Sequence, residues 1–181
     1  MFQTARSILK RDPAAHNLSE VILTYPGIRA LFWYRIAHFL VIRRFFTFAS
    51  LLSQHAAHST GISISPEATI GKRVFIDHGI GVVIGSTAVV EDDVTILHGV
   101  TLGARKSVAG PRHPHVERGA FIGANAQILG NITIGAFSKI GAGAIVLTDV
   151  PPKTTAVGNP ARIVGVPVDK VVEIDFKKHN Y

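Results

Sequence analysis

The sequence predicts a mainly β chain: a parallel β-helix of hexapeptide repeats behind a short N-terminal α-helical region. Three observations carry that reading. From Gly61 onward an aliphatic residue returns every six positions, often with Gly behind it. Before Gly61 the apolar residues instead recur at three- and four-residue spacing, the period of a helix. The composition has 17 Gly but only one Trp and three Tyr, which suits a narrow, glycine-punctuated coil better than a wide aromatic core.

Residues 1–60 read as helical. Asp12-Pro13-Ala14-Ala15 looks like a helix start, since Asp accepts from free N–H groups and Pro suits the first turn. Tyr25-Pro26-Gly27 breaks the pattern. From Ile28 to about His55, Leu31, Phe32, Ile36, Phe39 and Leu40 make an apolar stripe with Arg29, Arg35 and Arg43 between them. That is an amphipathic helix or helix pair, expected to pack on the rest of the protein or on another subunit.

Residues 61–165 form the repeat domain. Its units open on Ile64, Ile70, Ile76, Ile84, Val90, Ile96, Val116, Ile122, Ile128, Ile134 and Ile140, and each carries a small or β-branched residue in fifth place. One unit supplies a strand and a turn, three units complete a triangular coil, and the leading aliphatic side chains stack inward. The period breaks twice. Ile76 to Ile84 is eight residues instead of six, and Leu102 to Val116 is fourteen, which extrudes a loop at 103–115. In solenoids such insertions map to one face, often the binding face. The first break holds Asp77-His78 and the second holds Arg112-His113. Residues 166–181 read as a capping strand or helix.

The 181 residues fit one domain with a modest extension, domains running to about 100–200 residues. Lacking Cys, the chain has no disulfide, thiolate metal site or cysteine nucleophile, in keeping with a cytoplasmic protein. No apolar segment follows Met1–Arg6, so no signal peptide is expected. The run Phe39 to Leu52 contains Arg43 and Arg44 and falls short of the ~20 residues a membrane span needs, so no membrane partner is expected. A net charge of +7 favours anionic ligands, yet the basic residues are scattered without stacking aromatics, which argues against nucleic acid.

The repeats together with Asp12-Pro13-Ala14, Asp77-His78-Gly79, Val100-Thr101-Leu102-Gly103, Arg112-His113-Pro114 and Gly158-Asn159-Pro160-Ala161-Arg162 carry a resemblance. From about Arg11 to Gly165 the chain resembles serine O-acetyltransferases, which make O-acetylserine from serine and acetyl-CoA for cysteine biosynthesis. The resemblance implies a left-handed parallel β-helix and a homotrimer with active sites between subunits. It implies His78 as general base, Asp77 and Asp12 as acids holding L-serine, Arg112 as the cation for its carboxylate, and His113 as a second active-site histidine. Acetyl-CoA would lie along Gly103, Ala104, Ala124, Lys139 and Ala142, as a co-substrate with no metal. Ser63 stands where the family has the acid that orients the catalytic His. A hydroxyl accepts an imidazole N–H but does not stabilise imidazolium as a carboxylate does. The loop start Gly103-Ala104-Arg105-Lys106 is more cationic than the family's glycine-rich one. Most of the N-terminal domain that joins two family trimers has no counterpart, so a lone trimer is expected. The end, Lys178-His179-Asn180-Tyr181, lacks the terminal isoleucine that docks relatives to the next pathway enzyme, and that complex is not expected.

Simpler readings stand beside these. Asp77-His78 alone would be a surface pair, Arg112 a solvated charge, His113 a loop-shaping residue, and Asp12 a helix cap. Lys139 and Arg162 are either phosphate ligands or ordinary exposed cations. Asp92-Asp93 reads as a turn, and His98, at a strand position, has no assigned role. The spacings of His55, His58, His78, His98 and His113 match no zinc motif. Other acceptors, homoserine or another small hydroxyl compound, and a non-catalytic β-helix scaffold are the alternatives; a scaffold has no use for Asp12, Asp77, His78 and Arg112 together.

Overall fold

The structure, a computed structural model, describes residues 1–164. The expected capping element at 166–181 lies outside the described residues. The N-terminal region holds helices α1 (Phe2–Arg11), α2 (Leu18–Thr24), α3 (Pro26–Ile42) and α4 (Phe46–Thr60). Asp12 does not start a helix. It is the extended C-cap of α1, its N–H donating to the Ile8 carbonyl, because the following Pro13 disfavours helical geometry at the residue before it. The next helix instead opens at Asn17, whose side chain accepts the Glu20 N–H. Tyr25-Pro26 does divide the helices, with Pro26 in the first turn of α3.

The buried stripe of α3 also differs from the expected one. Ile28, Leu31, Tyr34 and Ala37 face inward, whereas Phe32, Ile36 and Phe39 are exposed. Apolar residues surround this helix, so periodicity alone did not single out the inner face. Tyr34 decides the orientation: its hydroxyl donates to the Ala68 carbonyl and accepts the Ile70 N–H, seating α3 across the first coil.

From Ser63 the chain winds as a left-handed parallel β-helix. One face is the sheet β1 (Ser63–Ile64), β4 (Val83–Ile84), β7 (Thr101–Gly103), β10 (Gln127–Leu129) and β13 (Ile145–Val146). The second is β2 (Thr69–Ile70), β5 (Val89–Val90), β8 (His115–Val116) and β11 (Thr133–Ile134). The third is β3 (Phe75–Ile76), β6 (Thr95–Ile96), β9 (Phe121–Ile122), β12 (Lys139–Ile140) and β14 (Thr155–Val157), closed by antiparallel β15 (Arg162–Val164).

The leading residues align in register: Ile64, Ile84, Leu102, Ile128 and Val146 on the first face, and Ile76, Ile96, Ile122 and Ile140 on the third. All are buried, each such side chain worth roughly 1.5–3 kcal/mol over exposure. The fifth positions (Ala68, Val74, Ala88, Val94, Ala120 and Ala126 among them) fill the space between stacks. Asp92 and Asp93 do form a turn, and Arg73 pairs with both from the coil below, at 3.0 and 2.7 Å.

The two insertions do not share a face. The first opens at the corner between the third and first sheets, after β3. The second opens at the corner between the first and second sheets, after β7. Every coil meets both corners, so a six-residue count locates an insertion only once the strands have been assigned to faces.

Candidate active site

The corner after β3 gathers one set of side chains. Successive turns there are tied by Gly99 N–H to the Ile80 carbonyl, Asn125 N–H to His98 and Gly143 N–H to Ala124. His78, His98, Ala124 and Ala142 therefore climb a single edge. His78 has a left-handed backbone (φ 54°), and its side chain is 79% exposed. Its Nε2 stands 3.9 Å from Asp77 Oδ1, an ion-pair distance too long for a hydrogen bond. His98 lies on a turn after β6 instead of in the strand, its ring edge-on to that of His78 with centroids 6.4 Å apart.

Beside His78 lies a cavity of about 350 Å³ lined by Asp12, Glu20, Tyr25, Pro26, Asp77 and neighbours. Three carboxylates and one imidazole thus face the same space. Asp12 is held at both oxygens: Oδ1 accepts the Ala14 N–H at 2.8 Å and Oδ2 the Tyr25 hydroxyl at 2.7 Å. Glu20 accepts the His16 N–H, which holds its carboxyl below the ordinary range. Arg11, next to Asp12, reaches the carbonyls of Arg73 and Asp93 and the Thr95 hydroxyl, so the end of α1 is pinned to two coils.

The corner after β7 gathers the other set. Loop 103–115 folds back onto Gly85-Ser86-Thr87 of the coil below. Thr87 Oγ1 accepts the N–H groups of Arg112 and His113, and the Arg112 guanidinium donates to Ser86 Oγ at 3.1 Å. The His113 ring lies over Gly85, where a methyl group would overlap it. Its Nδ1 is 3.2 Å from the Thr87 N–H and 2.8 Å from Oγ1. An amide only donates, so Nδ1 is the acceptor and the ring proton sits on Nε2. Burial, then the Arg112 charge, pushes the His113 imidazole below its usual value, in keeping with a neutral ring. A cavity of about 320 Å³ nearby is lined by Arg105, Lys106 and Arg112 with no carboxylate.

The expected site residues therefore fall into two groups within one chain. Asp12, Asp77, His78, Ala124 and Ala142 share the first corner; Gly103, Ala104, Arg112 and His113 share the second, across the width of the first sheet. Lys139 is exposed on β12. Ser63 points outward from β1, and among the described residues no hydrogen bond joins it to His78. Sequence reasoning missed Glu20, Tyr25, Ser86 and Thr87. Tyr25 read only as part of a helix break, and Ser86-Thr87 looks like any other hexapeptide interior until the loop is seen to land on it.

Among the described residues, no helix is long and apolar enough to cross a membrane. Residues 113–148 match the bacterial transferase hexapeptide model of six repeats. The chain is 53% identical over 157 residues to the serine acetyltransferase of Helicobacter pylori, covering 87% of this chain and 92% of that one. Two solved structures superimpose closely. The serine acetyltransferase of Brucella abortus in complex with coenzyme A gives a TM-score of 0.88 at 43% identity, over 90% of this chain and 65% of that one. The soybean enzyme complexed with serine gives 0.87 at 48% identity, over 90% and 67%. This chain thus spans about two thirds of those solved chains and nearly all of the Helicobacter relative. With the repeat register, both corner motifs and these similarities in agreement, the chain belongs to the serine acetyltransferase family.

Proposed function

We infer that this chain transfers the acetyl group of acetyl-CoA to the hydroxyl of L-serine, giving O-acetylserine for cysteine biosynthesis and free coenzyme A. The observation that carries the reading is the acidic cavity at His78. Asp12 and Asp77 offer carboxylates to an ammonium group beside an exposed imidazole, which suits an amino acid better than a neutral sugar. His78 takes the hydroxyl proton as the serine oxygen attacks the thioester carbonyl. The tetrahedral intermediate then collapses, the carbon–sulfur bond breaks, and the imidazolium returns the proton to the departing thiolate. Direct transfer of this kind uses no covalent intermediate on the protein.

Arg112 is the fork for the substrate carboxylate, with His113 beside it. In one chain that pair stands at the far edge of the first sheet from His78, so the reading includes a homotrimer in which each neighbour supplies its second corner. The cationic cavity of Arg105 and Lys106 and the small residues Gly103, Ala104, Ala124 and Ala142 suit a phosphorylated co-substrate lying between the two corners, and Lys139, exposed on β12, is a further cation for its phosphates. The relatives that hold serine and coenzyme A support both ligands. The reading takes the enzyme to be cytoplasmic, in keeping with a chain that has no Cys. Ser63 leaves the imidazole without the family's orienting carboxylate, and Asp77 is the nearest acid.

The test is thiol release from acetyl-CoA with serine, homoserine and a sugar as acceptors. Serine is expected to give the highest kcat/KM. Release with homoserine alone moves the acceptor, and no release with any of them ends the enzyme reading.

A further inference from the structure

Asp12 and the Asp77-His78 pair reach the cavity from different parts of the chain, and one side chain touches both supports. Tyr25 donates its hydroxyl to Asp12 Oδ2 at 2.7 Å. Its ring packs on Phe75 (centroids 6.5 Å apart, planes at 35°), and Phe75 is the β3 residue two before Asp77. Phe75 points away from the coil axis yet is 5% exposed, because α1, α2 and α3 bury it with Ala5, Ile8, Val21 and Ile28. Tyr25 is itself held from behind. It precedes Pro26, which confines its backbone to the extended conformation seen (φ −75°, ψ 113°).

We propose that Tyr25 is a positioning residue for the acceptor: it fixes the Asp12 carboxylate so that its free lone pairs face the substrate ammonium. A carboxylate on a loop rotates freely and presents its charge diffusely. Here the Ala14 N–H takes one oxygen and Tyr25 the other, leaving one acceptor direction on each for the cavity. The hydroxyl also acts as a ruler, joining the end of α1 to the strand that carries the base. Hydrogen bonding to Asp12 pushes the Tyr25 phenol up to about 12, so it stays a donor across any working pH.

This proposal rests on serine being the acceptor. The test is Tyr25→Phe, which keeps the ring on Phe75 and removes only the hydroxyl. The serine KM is expected to rise about tenfold, the order of one hydrogen bond to a charged group, with kcat and the acetyl-CoA KM within about twofold. In an Asp12→Asn background the same change is expected to add little, since Tyr25 acts through Asp12. An unchanged serine KM overturns the proposal, as does a parallel loss in kcat and both KM values with a fall in Tm, or full additivity with Asp12→Asn. If the wild type releases no thiol with serine, the function above fails instead. Calorimetric titration of serine into both proteins then decides Tyr25: weaker binding by Tyr25→Phe supports it, and equal binding or none overturns it.

Discussion

At the scale of single residues, the candidate site separates a base from its supports. His78 is exposed, close to one acid and unburdened by any structural hydrogen bond among the described residues, which suits the general base proposed for it. Its replacement by Ala is expected to lower kcat about 10²–10⁴-fold with little change in Tm, the range for losing a general base; full retained activity would reassign the base. His113 has the opposite character, with Nδ1 engaged by Thr87 and burial disfavouring its charged form. Its folded pKa lies below the ordinary 6.5, so above that value neither the folded nor the unfolded chain binds the proton and no stability changes with pH. As pH falls through 6.5 the unfolded chain protonates first, and stability declines until the folded form titrates too. Between pH 7.5 and 5 the Tm of the wild type is therefore expected to fall more than that of His113→Asn, and equal falls would show that His113 carries no linkage.

At the scale of elements, the coil obeys its repeat at nearly every inward position, and the exception is informative. Ser138 occupies a fifth position, where most units carry Ala or Val. It is fully buried, and among the described residues its Oγ has no hydrogen-bond partner. An unpaired buried hydroxyl is destabilising by about 1–3 kcal/mol. Ser138→Ala is expected to raise the free energy of unfolding by about 1 kcal/mol, read as a higher urea midpoint at unchanged slope. A lower midpoint would mean that the hydroxyl finds a partner when copies assemble. The loop 103–115 belongs to the same scale: Thr87 receives two of its N–H groups and Ser86 its guanidinium, so the loop is seated by hydroxyls instead of by a core of its own.

At the scale of the whole molecule, one chain holds the His78 group and the Arg112 group at the two edges of one sheet, and the proposed homotrimer would join them as halves of one site. A heterologous contact that repeats around a threefold axis closes into a ring and completes three sites. Sedimentation is expected to give a trimer, and a mixing experiment checks that the halves belong to one site. His78→Ala and Arg112→Ala are each expected to be inactive alone. Unfolded together and refolded at equal ratio, they are expected to recover roughly a quarter of wild-type activity, the chance that an intact first corner meets an intact second one. No recovery, with trimers formed, would place both residues in a site within one chain.

The sequence by itself determined the coil, because a six-residue period of buried aliphatic side chains has one packing solution: stacks in register, such as Ile76 on Ile96 on Ile122. It also marked Asp77-His78 and Arg112-His113, since breaks in so regular a pattern stand out. It did not determine which corner each break occupies, which face of α3, with apolar residues on every side, turns inward, or that Asp12 ends a helix instead of starting one. Those depend on contacts between residues far apart in the chain: Tyr34 with Ala68 and Ile70, and Tyr25 with Asp12. A local period records only what each residue's neighbours require. Direction around the coil and the joining of α1 to β3 are decided by long-range packing and hydrogen bonds, and so only the tertiary structure shows them.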